Sequence, residues 1–276
     1  MTISGKARAD LHLHSNCSDG LYSPHQLIMA AAEAGLSAAA LTDHDTMSGI
    51  DEAMQTGAAC GIETVPGVEI SSYENGLEIH LLGYYPAYPD ALSVQLSDVR
   101  RDRFKRMALM VERLNNLGFS LDPAQIFQKA APAAPGRLHL ARYMVDHMLV
   151  DNLEQAFSLY LNRGRPAYLP RTNLTPSAAL LLLLESGSVP VIAHPGPDGK
   201  KLLPALIKKG LQGVEVYHPD HSTALKRYYH QAAMQNHLLV TGGSDFHGDK
   251  QFRVRAPGSV SIPYQYLELL KAKRFG

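Results

Sequence analysis

The chain carries no surplus of either charge: 26 Lys and Arg stand against 26 Asp and Glu over 276 residues. Proteins that hold long nucleic acid through its phosphates need a basic excess. Bulk capture of a long duplex is therefore excluded, while a local basic pocket for a small phosphorylated substrate is not. Cysteine is scarce. Cys17 and Cys60 have no paired spacing, which removes a disulfide framework and fits two reduced thiols in a cytoplasmic protein. No apolar run reaches membrane length: Leu180–Leu184 is cut off by Glu185 and Gly187. No N-terminal stretch has the apolar centre of a signal peptide. Internal repeats are absent, and low complexity is confined to the turn Ala130–Gly136.

Histidine is plentiful, at 13, and most histidines stand at the ends of apolar runs. The run Ala9–Leu13 carries His12 and His14 two positions apart. In a strand those side chains share one face, with Leu11 and Leu13 on the other, so the two imidazoles form a clamp and Asp19 follows in the turn. Ala38–Leu41 ends in Thr42-Asp43-His44-Asp45, Glu63–Val68 ends in Glu69, and Leu77–Tyr84 contains His80. Val189–Ala193 ends in His194, Gly213–Tyr217 in His218, and Leu238–Gly243 in Ser244-Asp245-Phe246-His247. Helical segments lie between most of these runs. Ser23-Pro24 and Thr175-Pro176 mark helix starts, with a capping hydroxyl before proline at the first helical position. This alternation of strand, polar cluster and helix predicts a parallel α/β architecture.

Near Asp98 the alternation stops. Residues 99–165 read as a helical insertion, with Arg100, Arg101, Arg103, Lys105 and Arg106 as a solvated helix face. The core is predicted to be discontinuous, 1–98 with 166–276. In a β/α barrel the carboxyl ends of the strands meet on one face. His12, His14, Asp19, His44, Glu69, His80, His194, Asp245 and His247 would then converge in one pocket. Taken singly each has an ordinary reading: His80 as a core histidine, His194 as a turn cap, Asp45 as a helix cap, Asp43 as a partner orienting His44. Together they are too many for one ion and enough for two or three, with a carboxylate shared between a pair. The mixed nitrogen and oxygen donors suit Mn, Fe or Zn. Paired ions roughly 3.5–4 Å apart serve phosphoryl and acyl hydrolysis.

His12-Leu13-His14, Thr42-Asp43-His44-Asp45, Pro66-Gly67-Val68-Glu69, Ile79-His80-Leu81-Leu82-Gly83-Tyr84, Ala193-His194-Pro195 and Gly243-Ser244-Asp245-Phe246-His247 form an ordered series. That series resembles the motifs of the polymerase and histidinol phosphatase (PHP) family. The resemblance covers both ends of the chain and the middle less. It implies a distorted seven-stranded (β/α) barrel of the amidohydrolase type with up to three divalent ions, Mn2+ first, Zn2+ or Fe2+ otherwise. By motif position the first ion takes His12, His14, Glu69 and Asp245. The second shares Glu69 and adds His80 and His194, and the third takes Asp19, His44 and His247. Asp19 stands where many members place a histidine, so two ions or three remain open.

Within that family the chain is most similar to short stand-alone bacterial members, associated with hydrolysis of nucleotide 3′-phosphates and 5′–3′ trimming of short RNA. Its length speaks against a proofreading module of a polymerase. The expected reaction is release of the 3′-phosphate from a nucleoside 3′,5′-bisphosphate, with short oligoribonucleotides as a second substrate class. Glu69, His194 and Asp245 are expected to act in catalysis, Asp245 also as acceptor of the water's proton. Arg137, Arg171 and His221 are expected to clamp a second phosphate, because guanidinium binds phosphate in two-pronged fashion. Arg137 would swing from the insertion, as a lid, over the barrel mouth. The rivals are an L-histidinol phosphatase and an amide or lactone hydrolase on the same scaffold.

Overall fold

The computed structural model describes residues 7–170, 174–248 and 255–276. Its strands are β1 (Arg8–Leu13), β2 (Ala38–Leu41), β3 (Glu63–Glu74), β4 (Leu77–Tyr84), β5 (Val189–Ile192), β6 (Gly213–Tyr217), β7 (Leu239–Gly242) and a two-residue β8 (Ile262–Pro263). They form one sheet in the order β7-β6-β5-β4-β3-β2-β1-β8. A bridge between Leu13 and Phe246 brings the β7 end back to β1, so the sheet curls into a nearly closed barrel. The expected seven strands are all present, and β8 adds an eighth by pairing antiparallel along the start of β1.

The seam depends on a close approach. A Cβ at Gly243 would lie 2.5 Å from both the backbone nitrogen and Cβ of His12, so only glycine lets this loop reach β1. Asp10 fastens the same seam from inside, accepting the Ser244 backbone N–H at 3.0 Å and the Gly258 N–H at 2.8 Å.

The architecture is not wholly parallel. β3 and β4 form an antiparallel hairpin, and β4 is also antiparallel to β5. Asn75 and Gly76, both at positive φ (50° and 81°), make the tight turn, as two-residue hairpins of matching twist require. The reversal matters for the site. His80 lies in the first half of β4, and because β4 runs backwards that half sits beside the carboxyl ends of its neighbours.

Alternate side chains fill the barrel: Leu11, Ala40, Val65, Leu82, Tyr84 and Val191 are buried together. The Tyr84 hydroxyl crosses this interior to donate to the Leu11 carbonyl at 2.8 Å. Helices α1 (Pro24–Glu33), α2 (Ile50–Cys60), α7 (Pro176–Glu185), α8 (Gly199–Lys208), α9 (Thr223–Gln235) and α10 (Tyr264–Phe275) flank the sheet. The predicted starts hold. Ser23 caps α1 in a capping box with Gln26, and Thr175 caps α7, each ahead of proline.

Between β4 and α7 lie α3 (Pro89–Asn116), α4 (Pro123–Ala130), α5 (Arg137–Asp146) and α6 (Leu153–Ala156), the last running into a π-helical turn, Phe157–Leu161. The helical stretch starts at Pro89, ahead of the expected residue 99, because that proline suits a first helical position. Met107, Met110, Leu114, Ile126, Leu140 and Leu161 belong to a buried cluster of this segment's own. Its attachment to the barrel rim uses arginine. Arg103, expected on a solvated face, is buried and pairs with Asp45 at 2.6 Å, and the Arg142 guanidinium donates to the Asp19 carbonyl at 2.7 Å. Asp45 is thus no helix cap. Among the described residues no helix is long and apolar enough to cross a membrane.

Candidate metal centre

Glu69 is the hub. It is wholly buried in the middle of β3, which runs on past the expected strand end, just beyond the last pairing with β2. Its Oε2 lies 3.2 Å from His12 Nε2, 3.2 Å from His14 Nε2 and 3.1 Å from His44 Nδ1. Its Oε1 lies 2.9 Å from both His80 Nδ1 and His194 Nε2. Each oxygen therefore faces a different set of imidazoles, the arrangement of a carboxylate that bridges two cations.

Asp245 faces the first set from the other side, with Oδ1 3.3 Å from His14 Nε2 and 3.6 Å from His12 Nε2. Asp19 Oδ1 is 3.2 Å from His247 Nε2, and Asp19 Oδ2 is 3.9 Å from His44 Nε2. Donor atoms of His14, Asp19, His44 and His247 gather within 4.8 Å of one another. So do those of His12, His14 and Asp245, those of His12, Glu69 and His194, and those of His44, Glu69 and His80. All nine residues singled out as ligands meet in one pocket.

The electrostatics are those of a cation site. Burial would raise the Glu69 carboxyl, yet the imidazoles of His44, His80 and His12 hold it well below the usual carboxylate range. Burial opposes ionisation of Asp245 too, and His247, His14 and His218 overcome it. Burial drives His44 well below the ordinary imidazole value despite Glu69 and Asp19 beside it. At His14 and His80 burial acts in the same sense, but the paired carboxylates win and raise them to about 10 and about 9.

His12 Nε2, His14 Nε2, Asp19 Oδ1, His44 Nδ1 and Glu69 Oε2 are buried without a well-formed hydrogen bond. Each buried polar atom in that state costs about 1–3 kcal/mol. Such atoms, aimed at common points, are what divalent ions would bind, so the residues fit two or three metals. Backbone strain concentrates here as well. His194 and Asp245 hold positive φ of 25° and 50°, fixed by the His194 N–H to Glu215 at 2.8 Å and the Asp245 N–H to the His12 carbonyl at 2.9 Å. Such backbones persist where surrounding contacts over-determine them.

The comparisons agree with this geometry. The PHP domain profile matches residues 10–157. The 3′,5′-nucleoside bisphosphate phosphatase of Chromobacterium violaceum is 35% identical over 87% of this chain and 87% of its own. The chain belongs to the PHP family. The 5′-3′ exoribonuclease Rnm of Escherichia coli, 31% identical over 86% of this chain and 84% of its own, is a second relative. A Bifidobacterium adolescentis protein assigned to the metal-dependent phosphoesterases has the same fold. It superposes with a TM-score of 0.89 at 26% identity, covering 97% of this chain and 96% of that one. As a PHP protein with this donor set, the chain is a metal-dependent phosphoesterase.

Other expected residues lie elsewhere. Arg137 pairs with Glu78, whose other oxygen is 3.5 Å from His80 Nε2, and its guanidinium lies over the Tyr168 ring at 5.6 Å. It stands at the rim, one carboxylate removed from the ligands. His221 is turned inward. Its Nδ1 bonds the Val216 carbonyl at 2.9 Å and its Nε2 accepts the Gly196 N–H at 3.4 Å. Arg171 lies outside the described residues. The Asp43 carboxylate is taken up by Ser15 and Ser18 rather than by the His44 ring. It accepts the Ser15 N–H and the Ser15 and Ser18 hydroxyls, and so holds the turn that carries Asp19.

Sequence reasoning missed three site residues. Glu215, wholly buried, accepts from His12 Nδ1 at 3.0 Å. His218 Nε2 is 3.4 Å from Asp245 Oδ2, and Arg255 Nη1 is 3.0 Å from the same oxygen. His218 ends β6 as His194 ends β5, so the strand-end signal was available for it. Arg255 follows the last strand-end motif with nothing local to mark it.

Proposed function

We propose that this phosphoesterase removes the 3′-phosphate of nucleoside 3′,5′-bisphosphates, leaving 5′-monophosphates, and trims short 5′-phosphorylated RNA from its 5′ end. The observation that carries the reading is the placement of Arg137 and Arg142, both on α5, against two groups at the edge of the donor pocket. One contacts Glu78 beside His80 and the other the Asp19 carbonyl. A substrate with one phosphate at the donors and a second at this rim is held in register for attack. The names of the two relatives, a bisphosphate phosphatase and a 5′-3′ exoribonuclease, fit one substrate shape, a 3′-phosphoryl group beside a 5′-phosphate. In this reading the segment 99–165 is a lid and the protein works in the cytoplasm.

His12, His14, Glu69 and Asp245 would hold the first ion, Glu69, His80 and His194 the second, and Asp19, His44 and His247 the third. When bound, the ions, Mn2+ by preference with Zn2+ or Fe2+ as alternatives, supply Lewis-acid charge at the phosphoryl group and acidify water. Glu215 holds His12 with Nε2 turned to the pocket. Arg255 and His218 engage Asp245 Oδ2, leaving Oδ1 facing His12 and His14, where it accepts the proton of the attacking water. Phosphorus gains the water oxygen and the P–O3′ bond breaks. The departing 3′ oxygen takes its proton from water at the accessible edge of the set, beside His194. In RNA, scission of the same P–O3′ bond frees a 5′-monophosphate and leaves a fresh 5′-phosphate on the remainder.

The test compares kcat/KM for adenosine 3′,5′-bisphosphate, 3′-monophosphate, 5′-monophosphate and histidinol phosphate on metal-loaded protein. The bisphosphate is expected to lead, and Arg137→Ala to cost it about 1–3 kcal/mol in kcat/KM, the worth of a charge-assisted contact. A bisphosphate no better than the 3′-monophosphate overturns the two-phosphate reading. A lead for histidinol phosphate would establish the rival.

A further inference from the structure

Glu78 and His80 stand two positions apart on β4, so their side chains share one face of the strand. They pair in register with Tyr73 and Ser71, where the hairpin runs on beyond Glu69. His80 turns its Nδ1 to Glu69, 2.9 Å away, within one of the donor clusters. Its other nitrogen, Nε2, is buried and among the described residues has no well-formed hydrogen bond. The Glu78 carboxylate stands 3.5 Å from that nitrogen, beyond the usual length of such a bond.

A second partner holds Glu78 there. Its Oε2 takes the guanidinium of Arg137, which comes from the first turn of α5 and lies over the Tyr168 ring. The Arg137 side chain is 25% exposed, so it is open to a ligand from solvent. One carboxylate thus stands between two donors, a permanent cation and a ligand histidine, and the cation engages it. Phosphate binds guanidinium in two-pronged fashion and can replace Glu78 at Arg137. A closure of about 0.6 Å then brings the carboxylate from 3.5 Å to ordinary bonding length at His80 Nε2. A histidine whose outer N–H donates to a carboxylate is fixed as the tautomer with a lone pair on its other nitrogen, and is a stronger ligand.

We propose that Glu78 is a positioning residue that links the phosphate clamp to the second metal. With Arg137 on Glu78, the His80 ring is held only from the Glu69 side. With a phosphate on Arg137, Glu78 closes on the Nε2–H and aims Nδ1 at the ion. This rests on the two-phosphate reading above and adds to it. The second phosphate does more than hold the substrate in register: it tightens the second ion, and by linkage the ion tightens the phosphate. A substrate with a 3′-phosphate alone leaves Glu78 on Arg137.

The test measures Mn2+ binding to metal-free protein by calorimetry in the parent, Glu78→Gln, Arg137→Ala and the double variant, after their melting temperatures have been compared. Glu78→Gln is expected to weaken one Mn2+ site by about tenfold or more. Arg137→Ala, which releases the carboxylate as a phosphate would, should tighten it by about fivefold or more, the low end of ordinary coupling. Removing a positive charge beside a cation site helps by itself, and the Glu78→Gln background isolates that part. There most of the gain from Arg137→Ala should disappear. Saturating adenosine 5′-monophosphate should tighten Mn2+ in the parent, and by about fivefold less in Glu78→Gln. Parental affinity in Glu78→Gln overturns the proposal, and so does an equal gain from Arg137→Ala in both backgrounds. Should Glu78→Gln not fold, ring 15N spectra of the Zn2+-loaded parent decide. The His80 Nε2–H proton should move downfield when adenosine 5′-monophosphate is added, and an unmoved resonance overturns the link. Failure of the nucleotide to bind would strike the proposed function instead, and the Arg137→Ala comparison would still decide the link.

Discussion

His12 Nδ1 donates to Glu215 at 3.0 Å, and both side chains are completely buried. The pairing fixes the imidazole as the tautomer whose free Nε2 points at Glu69 and Asp245. The other Glu215 oxygen accepts the backbone N–H of His194. One carboxylate thus sets the aim of a ligand within β1 and of the ligand-bearing loop after β5, a role often filled by partners behind a metal-binding histidine.

Glu215→Gln should therefore weaken metal binding while the barrel stays folded. An amide keeps only one of the two acceptors and turns an NH2 toward the His12 ring or the His194 N–H. We expect a roughly 10–100-fold loss of metal affinity, read by calorimetric titration and by a smaller rise in melting temperature on adding Mn2+. Glu69→Gln and His194→Ala, which alter ligands themselves, should abolish hydrolysis and lower bound metal. Unchanged metal affinity in Glu215→Gln would show that His12 needs no such orientation.

Arg103 and Asp45 form a buried pair between α3 and the loop after β2, 4% and 0% exposed. Removing one partner strands the other charge, and losses of about 3–5 kcal/mol are usual for that. Arg103→Leu should cost about that much in urea unfolding, and Arg103→Leu combined with Asp45→Asn should recover part of it. If the single variant unfolds at the parent's midpoint, the arginine does not anchor the helical segment to the barrel.

His139 supplies a pH dependence of known sign. Burial holds it down to about 4 from an ordinary 6.5, and its Nδ1 accepts the Gly136 N–H at 3.0 Å. The folded chain thus resists a proton that the unfolded chain takes up. Stability from this residue is complete above pH 6.5 and is lost as pH falls toward 4. Partial exposure limits the effect to ~2 kcal/mol. Unfolding of metal-free protein followed from pH 7.5 to 4.5 should fall less steeply in His139→Gln than in the parent. Parallel curves would remove His139 as the cause.

The sequence by itself determined the class of fold, the caps at Ser23 and Thr175, and every member of the donor set. Those features are local. A strand alternates its faces every two residues, a capping hydroxyl precedes its helix, and a ligand at the end of a parallel strand needs only the barrel to bring it to its partners. Tertiary structure decided what depends on pairing. The direction of β4 is set by the Asn75-Gly76 turn and by register with β3 and β5, and that direction is what brings His80 to the rim. Glu215 reads as one more strand residue until the barrel closes and turns it behind His12. Arg103 belongs to a run of like charges, and only the docking of α3 onto Asp45 buries it while Arg101 and Lys105 stay exposed. Arg137 was legible as a rim residue, but not its partner Glu78, because the two meet across the gap between a helical segment and the sheet, which no spacing along the chain encodes.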